Sequence, residues 1–87
     1  MAQFSVEIRT SAIKELEAVV PKRERQRIAR KISALAKEPR PRGCEKLADQ
    51  GDRYRVRQGR YRIVYAVDDA QFLVDVVKIG HRKEVYR

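Results

Sequence analysis

The ten residues that decide the fold have the sequence VRQGRYRIVY and run from Val56 to Tyr65. Gly59 is followed by one more residue before the alternating pattern of the next strand begins. A glycine at the first of two turn residues is typical of a type II′ hairpin turn. Such a turn sets the register of both flanking strands, so Arg57 is predicted to lie opposite Arg62. The stretch therefore predicts a β-hairpin and the pairing of its residues.

The predicted hairpin has one apolar face and one basic face, because successive side chains of a strand point to opposite sides of the sheet. The residues predicted to face the core are Tyr54, Val56, Tyr61, Ile63 and Tyr65. The opposite face collects Arg55, Arg57 and Arg62. Like charges placed opposite each other destabilise a sheet. We therefore predict that this arginine cluster binds an anion, with a phosphate as the first candidate.

The composition narrows the class of protein. The chain has 87 residues, which suits one domain, and its 21 basic and 12 acidic residues leave a net charge of +9. Such a charge favours polyanionic partners, namely nucleic acid, a ribonucleoprotein or an acidic protein. Cys44 is the one cysteine, which excludes an intramolecular disulfide and a thiolate metal cluster. Without an apolar run of membrane-spanning length or a signal peptide pattern, the chain is predicted to be a cytoplasmic protein that needs no cofactor.

Two helices are predicted in the first half of the chain, after a short strand near residues 4–10. The first helix begins at Thr10 or Ser11, and its predicted apolar stripe consists of Ile13, Leu16 and Val20. The second helix runs from Pro21 to about Lys37, and its predicted buried residues are Ile28, Ile32 and Leu35. Its many basic residues are typical of a solvated face, but contact with ribosomal RNA phosphates is equally compatible with them.

The last predicted strand is the mostly apolar run from Phe72 to Ile79. If Val67 pairs with Phe72, then Asp75 and Ile79 lie on the face that carries the arginines, and Asp75 is expected to pair with Arg55. The predicted fold is α+β, with two N-terminal helices, a helical hairpin, packed on one face of a small, mainly antiparallel, four-stranded sheet. The arginines would then occupy the open face of that sheet.

Three segments of the chain resemble the RelE family of type II toxins, in the RelE/ParE superfamily. They are YRVR at 54–57, GRYRIVY at 59–65 and IGHRKEVY at 79–86, and the resemblance extends over nearly all of residues 1–87 as a single RelE-like domain. It implies a ribosome-dependent endoribonuclease that cleaves messenger RNA in the A site and is inhibited by a cognate RelB-like antitoxin. It also implies a metal-free attack of the ribose 2′-hydroxyl on the adjacent phosphate.

The resemblance also implies roles for individual residues. Arg62 matches the family arginine that binds the scissile phosphate, Arg82 the C-terminal arginine of the site, and Tyr86 the C-terminal tyrosine. Arg55 and Arg57 are predicted to bind RNA phosphates, although better-studied members carry lysines at the matching positions.

The group that accepts the proton of the 2′-hydroxyl is left open by the sequence. A guanidinium is a poor proton acceptor because its pKa exceeds ~12, so the strand arginines are unsuited to that role. Tyr86 is the first candidate, because neighbouring guanidiniums favour a phenolate. His81 is the second, because an imidazole titrates near pH ~6.5.

Two other functions are compatible with the sequence. A ParE-like toxin resembles this chain in fold but inhibits DNA gyrase, and a basic module could bind nucleic acid without cleaving it. The combination of Arg62, Arg82 and Tyr86 favours the ribonuclease, because a gyrase inhibitor has no need for a phosphate site next to a proton-transfer group.

Overall fold

The computed structural model describes residues 3–48 and 51–81. Its elements in chain order are β1 (Ser5–Ile8), α1 (Thr10–Glu17), α2 (Lys22–Ala34), β2 (Glu45–Lys46), β3 (Arg53–Gln58), β4 (Tyr61–Asp68) and β5 (Leu73–His81). The strands form one sheet in the order β1, β5, β4, β3, β2. β1 runs parallel to β5, and the other neighbours are antiparallel. None of the helices described is long and apolar enough to cross a membrane.

The α+β class and the two-helix arrangement are confirmed, but the described sheet has five strands where four were predicted. The additional strand is β2, which pairs with β3 through only two residues, Glu45 and Lys46. Two residues are too few to produce a visible alternation, so sequence periodicity missed this strand.

The hairpin that the sequence predicted is present with the expected register. Arg57 lies opposite Arg62, and Gln58 lies opposite Tyr61. Gly59 has a φ of 60°, the left-handed conformation that the first position of a type II′ turn requires. The predicted apolar face is also confirmed, because Tyr65 is fully buried while Tyr54 and Tyr61 pack against the core.

The helices cover that apolar face. The buried residues of the helices and of the segments next to them are Ala12, Val19, Ile28, Ile32 and Leu35. They form one core with the sheet residues Val56, Ile63, Tyr65, Val67, Val74, Val76 and Ile79. The predicted stripe of the second helix is therefore confirmed. The predicted stripe of the first helix is confirmed only at Leu16, which packs against the core, and is wrong at Ile13 and Val20, which are 40% and 73% exposed. The helix instead turns Ala12 inward, where the small side chain lets the helix approach the sheet closely, and α1 ends before Val20.

The register predicted for the last strand is also wrong. Val67 pairs with Val74, not with Phe72, and the register shifts between Val64 and Tyr65. This irregularity inverts the alternation of β5, because an extra residue in one strand turns the following side chains to the other face. As a result Ile79 faces the core and is 2% exposed, although the sequence predicted it on the arginine face.

The segment between α2 and β2 is fixed to the sheet by two side chains. The hydroxyl of Tyr65 donates to the backbone oxygen of Pro39 at 2.7 Å. Arg40 donates to both carboxylate oxygens of Asp69, at 2.7 and 3.1 Å, and to the hydroxyl of Tyr54 at 3.0 Å. The hydrogen bond from the Arg40 guanidinium lowers the pKa of Asp69. These contacts hold the chain that leads into β2, the strand that carries Glu45.

We expect Tyr65→Phe to lower the free energy of unfolding by about 1–2 kcal/mol, because the buried Pro39 oxygen loses its donor. Burial raises the pKa of Tyr65 above its ordinary value near ~10, so the neutral phenol is favoured in the folded state. The free energy of unfolding of the wild type should therefore fall as the pH rises above ~10. That of the variant should fall less over the same pH range. Urea unfolding at pH 7 and at alkaline pH measures both effects. A variant as stable as the wild type, or as Tyr61→Phe, would contradict the prediction.

Candidate phosphate-binding site

Two arginines form the centre of the candidate site, on the face of the sheet away from the helices. Arg57 on β3 and Arg62 on β4 lie directly opposite each other. The Arg62 residue is only 8% exposed, whereas Arg57 is exposed. The hairpin thus orients one buried and one exposed guanidinium on the same face. Two guanidiniums in this arrangement suit a phosphate, because each can donate paired hydrogen bonds to its oxygens.

Arg55 lies on the same face but has a protein partner. Its Nη2 atom donates to Oε2 of Glu45 at 2.6 Å, and its side chain is 14% exposed. The expected pair between Arg55 and Asp75 is absent, because Asp75 instead accepts from Nε of Arg9 at 3.2 Å. Glu45 therefore orients Arg55 and offsets one positive charge of the cluster. Sequence reasoning missed this role of Glu45 because it depends on the short strand β2.

His81 lies on the helix side of the sheet rather than with the arginines. It pairs with Tyr61, and the two rings meet edge to face with centroids 5.8 Å apart. Both residues line a cavity of about 370 Å³, whose other walls include Glu15 and Val19 at the end of α1. The sheet thus separates the His81 ring from the Arg62 side chain, and the structure does not bring these two predicted site residues together.

The predicted site residues Arg82 and Tyr86 lie outside the described residues. The described chain ends at His81, next to Gly80, and Gly80 pairs with Arg62. Among residues 3–48 and 51–81, no group of three histidine, cysteine or acidic side chains is arranged to hold a metal ion. The geometry that the structure provides is thus a pair of opposed guanidiniums, with a third held by a carboxylate.

Comparison with known proteins agrees with this fold. Residues 6–86 match the model of a family described as the ParE toxin of type II toxin-antitoxin systems. The chain is 25% identical over 84 residues to Toxin RelG of Mycobacterium tuberculosis, covering 97% of each chain. It superposes with a TM-score of 0.82 on the toxin fold in the RelE-RelB complex of Pyrococcus horikoshii, at 30% identity and with 92% and 96% of the two chains covered. The intact E. coli RelBE complex gives a TM-score of 0.76, at 27% identity over 92% and 96%.

The fold is a small sheet with two helices on one face and arginines on the other. Because the family model also matches nearly the whole chain, the protein is a toxin of a type II toxin-antitoxin system. Within that class, the chain belongs to the RelE/ParE family, and the predicted resemblance to RelE is confirmed.

Proposed function

We propose that this toxin is an endoribonuclease that cleaves messenger RNA in the ribosomal A site. The observation that carries the proposal is the position of Arg62, which is almost fully buried and lies opposite Arg57 on the face of the sheet away from the helices. Two like charges directly opposite each other on a sheet repel. An anion that binds between the two would offset that repulsion, and a phosphodiester has the required charge and geometry.

In the proposed reaction the ribose 2′-hydroxyl attacks the adjacent phosphorus and loses its proton. The bond from phosphorus to the 5′ oxygen breaks, that oxygen takes up a proton, and a 2′,3′-cyclic phosphate remains on the upstream fragment. Arg62 and Arg57 would stabilise the negative charge that develops on the phosphate oxygens, with Arg55 contacting the flanking backbone. In the family pattern, Arg82 adds a further positive charge at the same phosphate.

We assign the proton transfer to Tyr86 in preference to His81. The family resemblance supports Tyr86 in the site. The His81 ring packs against Tyr61 on the helix side of the sheet, which separates it from Arg62. A proton acceptor must come within hydrogen-bond distance of the 2′-hydroxyl, and His81 would have to leave its present contact to do so.

We further propose that a RelB-like antitoxin inhibits the toxin in the cytoplasm, where ribosomes are located. Related toxins have been solved in RelE-RelB and RelBE complexes. The net charge of +9 favours an acidic partner, and the exposed Ile13 and Val20 offer apolar contacts on the outer side of the first helix and just after it. An antitoxin bound there would still need an extended segment to reach the arginine face.

Brief expression followed by primer extension on messenger RNA from translating cells tests the proposed activity. We expect discrete cuts within the codons of a translated message, whereas the same message without its start codon should remain intact in the same cells. The family model is described as a ParE toxin, which favours gyrase inhibition as the second candidate. Intact messenger RNA together with arrested DNA replication would contradict the ribonuclease and support that alternative.

A further inference from the structure

A basic surface on α2 lies apart from the arginine face of the sheet. Arg27, Arg30 and Lys31 follow the spacing i, i+3 and i+4, so they share one side of the helix. Together with Gln58 and Ala34 they line an open cavity of about 400 Å³ between the helix and the end of β3. We call these three cations the α2 cluster.

The α2 cluster carries a net positive charge within the described part of the chain. Arg27 forms an exposed ion pair with Glu24 at 3.4 Å, whereas Arg30 and Lys31 form no ion pair with any residue of 3–48 or 51–81. Among residues 3–48 and 51–81, no acidic side chain lines the cavity. The helix therefore presents two uncompensated charges and one that is partly compensated.

The turn of the hairpin holds the α2 cluster in a fixed place relative to the candidate site. A Cβ atom on Gly59 would lie only 2.9 Å from Oε2 of Glu24, so the first turn of α2 closely approaches the hairpin turn. Gln58, which lines the cavity, directly follows Arg57 along β3, and the two side chains point to opposite faces. Arg57 and the α2 cluster thus lie near the end of the hairpin, on opposite faces of the sheet.

We propose that the α2 cluster is a second phosphate-binding surface, which holds the backbone of a structured RNA other than the strand that is cleaved. The inference rests on the proposed function, because ribosomal RNA is the structured RNA present where such a toxin acts. A strand bound at Arg62 lies on the opposite face of the sheet, so a separate RNA backbone suits the α2 side. Neighbouring cations on a helix are roughly 5–6 Å apart, which suits a row of phosphates.

The lining of the cavity favours RNA over an acidic segment of an antitoxin. Ala34 is the only apolar side chain that the described residues contribute to it, so an amphipathic protein segment would find no large apolar anchor among them. Phosphates need only cations and hydrogen-bond donors, which Arg27, Arg30, Lys31 and the Gln58 amide supply.

Binding of the purified toxin to vacant ribosomes without messenger RNA, measured over a range of salt concentrations, tests the proposal. The test variant combines Arg27→Gln, Arg30→Gln and Lys31→Gln. A control variant combines Lys14→Gln, Lys37→Gln and Arg42→Gln, which removes the same charge from exposed positions outside the cavity. We expect the test variant to reduce the slope of log affinity against log salt by about 2–3, because each lost phosphate contact contributes about 0.7–0.9. The control variant should retain most of the slope.

Equal slopes for the two variants, or an unchanged slope for the test variant, would overturn the proposal. Two further probes identify other partners. An equal loss of affinity for a short unstructured RNA would show that α2 follows the single strand, and a selective loss for poly-L-glutamate would show an acidic protein surface; either result would also overturn it. Since vacant ribosomes contain no substrate, a toxin that binds them as expected but cleaves nothing would contradict only the proposed activity.

Discussion

Replacing Arg62 with alanine should lower the single-turnover rate of messenger RNA cleavage on programmed ribosomes by a factor of about 10²–10³. Arg62 is held by β4, buried to 8% exposure and directly opposite Arg57, so its guanidinium needs little reorganisation to meet the phosphate. Loss of such a preorganised donor removes stabilisation of the charge that develops in the transition state. Arg62→Lys keeps the charge but loses the paired donors, so its rate should lie between those of Arg62→Ala and the wild type.

The stability of the same variant distinguishes a site residue from a structural one. Arg62→Ala removes the repulsion from Arg57, which offsets the loss of the contacts of the Arg62 side chain, so the Tm should change little. Arg42→Ala, a change of equal charge at an exposed position of the connecting segment, should alter neither the Tm nor the cleavage rate. Full cleavage by Arg62→Ala, or a fall in its Tm large enough to account for the lost activity, would contradict an anion site at this position.

The hairpin was predictable from the sequence because its determinants are local. Gly59 supplies a positive φ at the turn, and a two-residue turn leaves only one register, which places Arg57 opposite Arg62. The second helix was predictable for a similar reason, since Ile28, Ile32 and Leu35 recur at helical spacing.

The elements that were mispredicted depend on contacts distant in sequence. The register shift at Val64 and Tyr65 has no local signal, yet it turns Ile79 into the core. Similarly, the local sequence of the first helix does not show that Ala12, rather than Ile13, faces the sheet. Either residue was compatible with a position on the buried side of the helix.

The candidate site likewise contains residues that were predictable from the local sequence and residues that were not. The arginine face follows from the alternation of the hairpin, so Arg55, Arg57 and Arg62 were predictable as a group. The partner of Arg55 was not, because Glu45 reaches it through a two-residue strand. His81 was a candidate for the site because of its imidazole, but its register opposite Tyr61 directs it to the helix side.

The contrast between Tyr86→Phe and His81→Gln should be the clearest test of the proton acceptor. Tyr86→Phe keeps the ring but removes the hydroxyl, so single-turnover cleavage should fall by about 10²-fold and the rise of the rate with pH should flatten. His81→Gln removes a group on the helix side of the sheet, so cleavage should change by no more than about a few fold, with a small loss of stability from the Tyr61 contact. Rates measured on programmed ribosomes from pH 6 to 9 compare the two variants.

The reverse result would contradict this assignment. If His81→Gln removes the pH dependence while Tyr86→Phe cleaves normally, then the imidazole transfers the proton and must leave its contact with Tyr61 when RNA binds. Near-normal cleavage by both variants would exclude both residues. The next candidate would then be Glu45, because its carboxylate lies 2.6 Å from Arg55, on the face that holds Arg57 and Arg62. A carboxylate in that position can accept a proton where the arginines around it cannot.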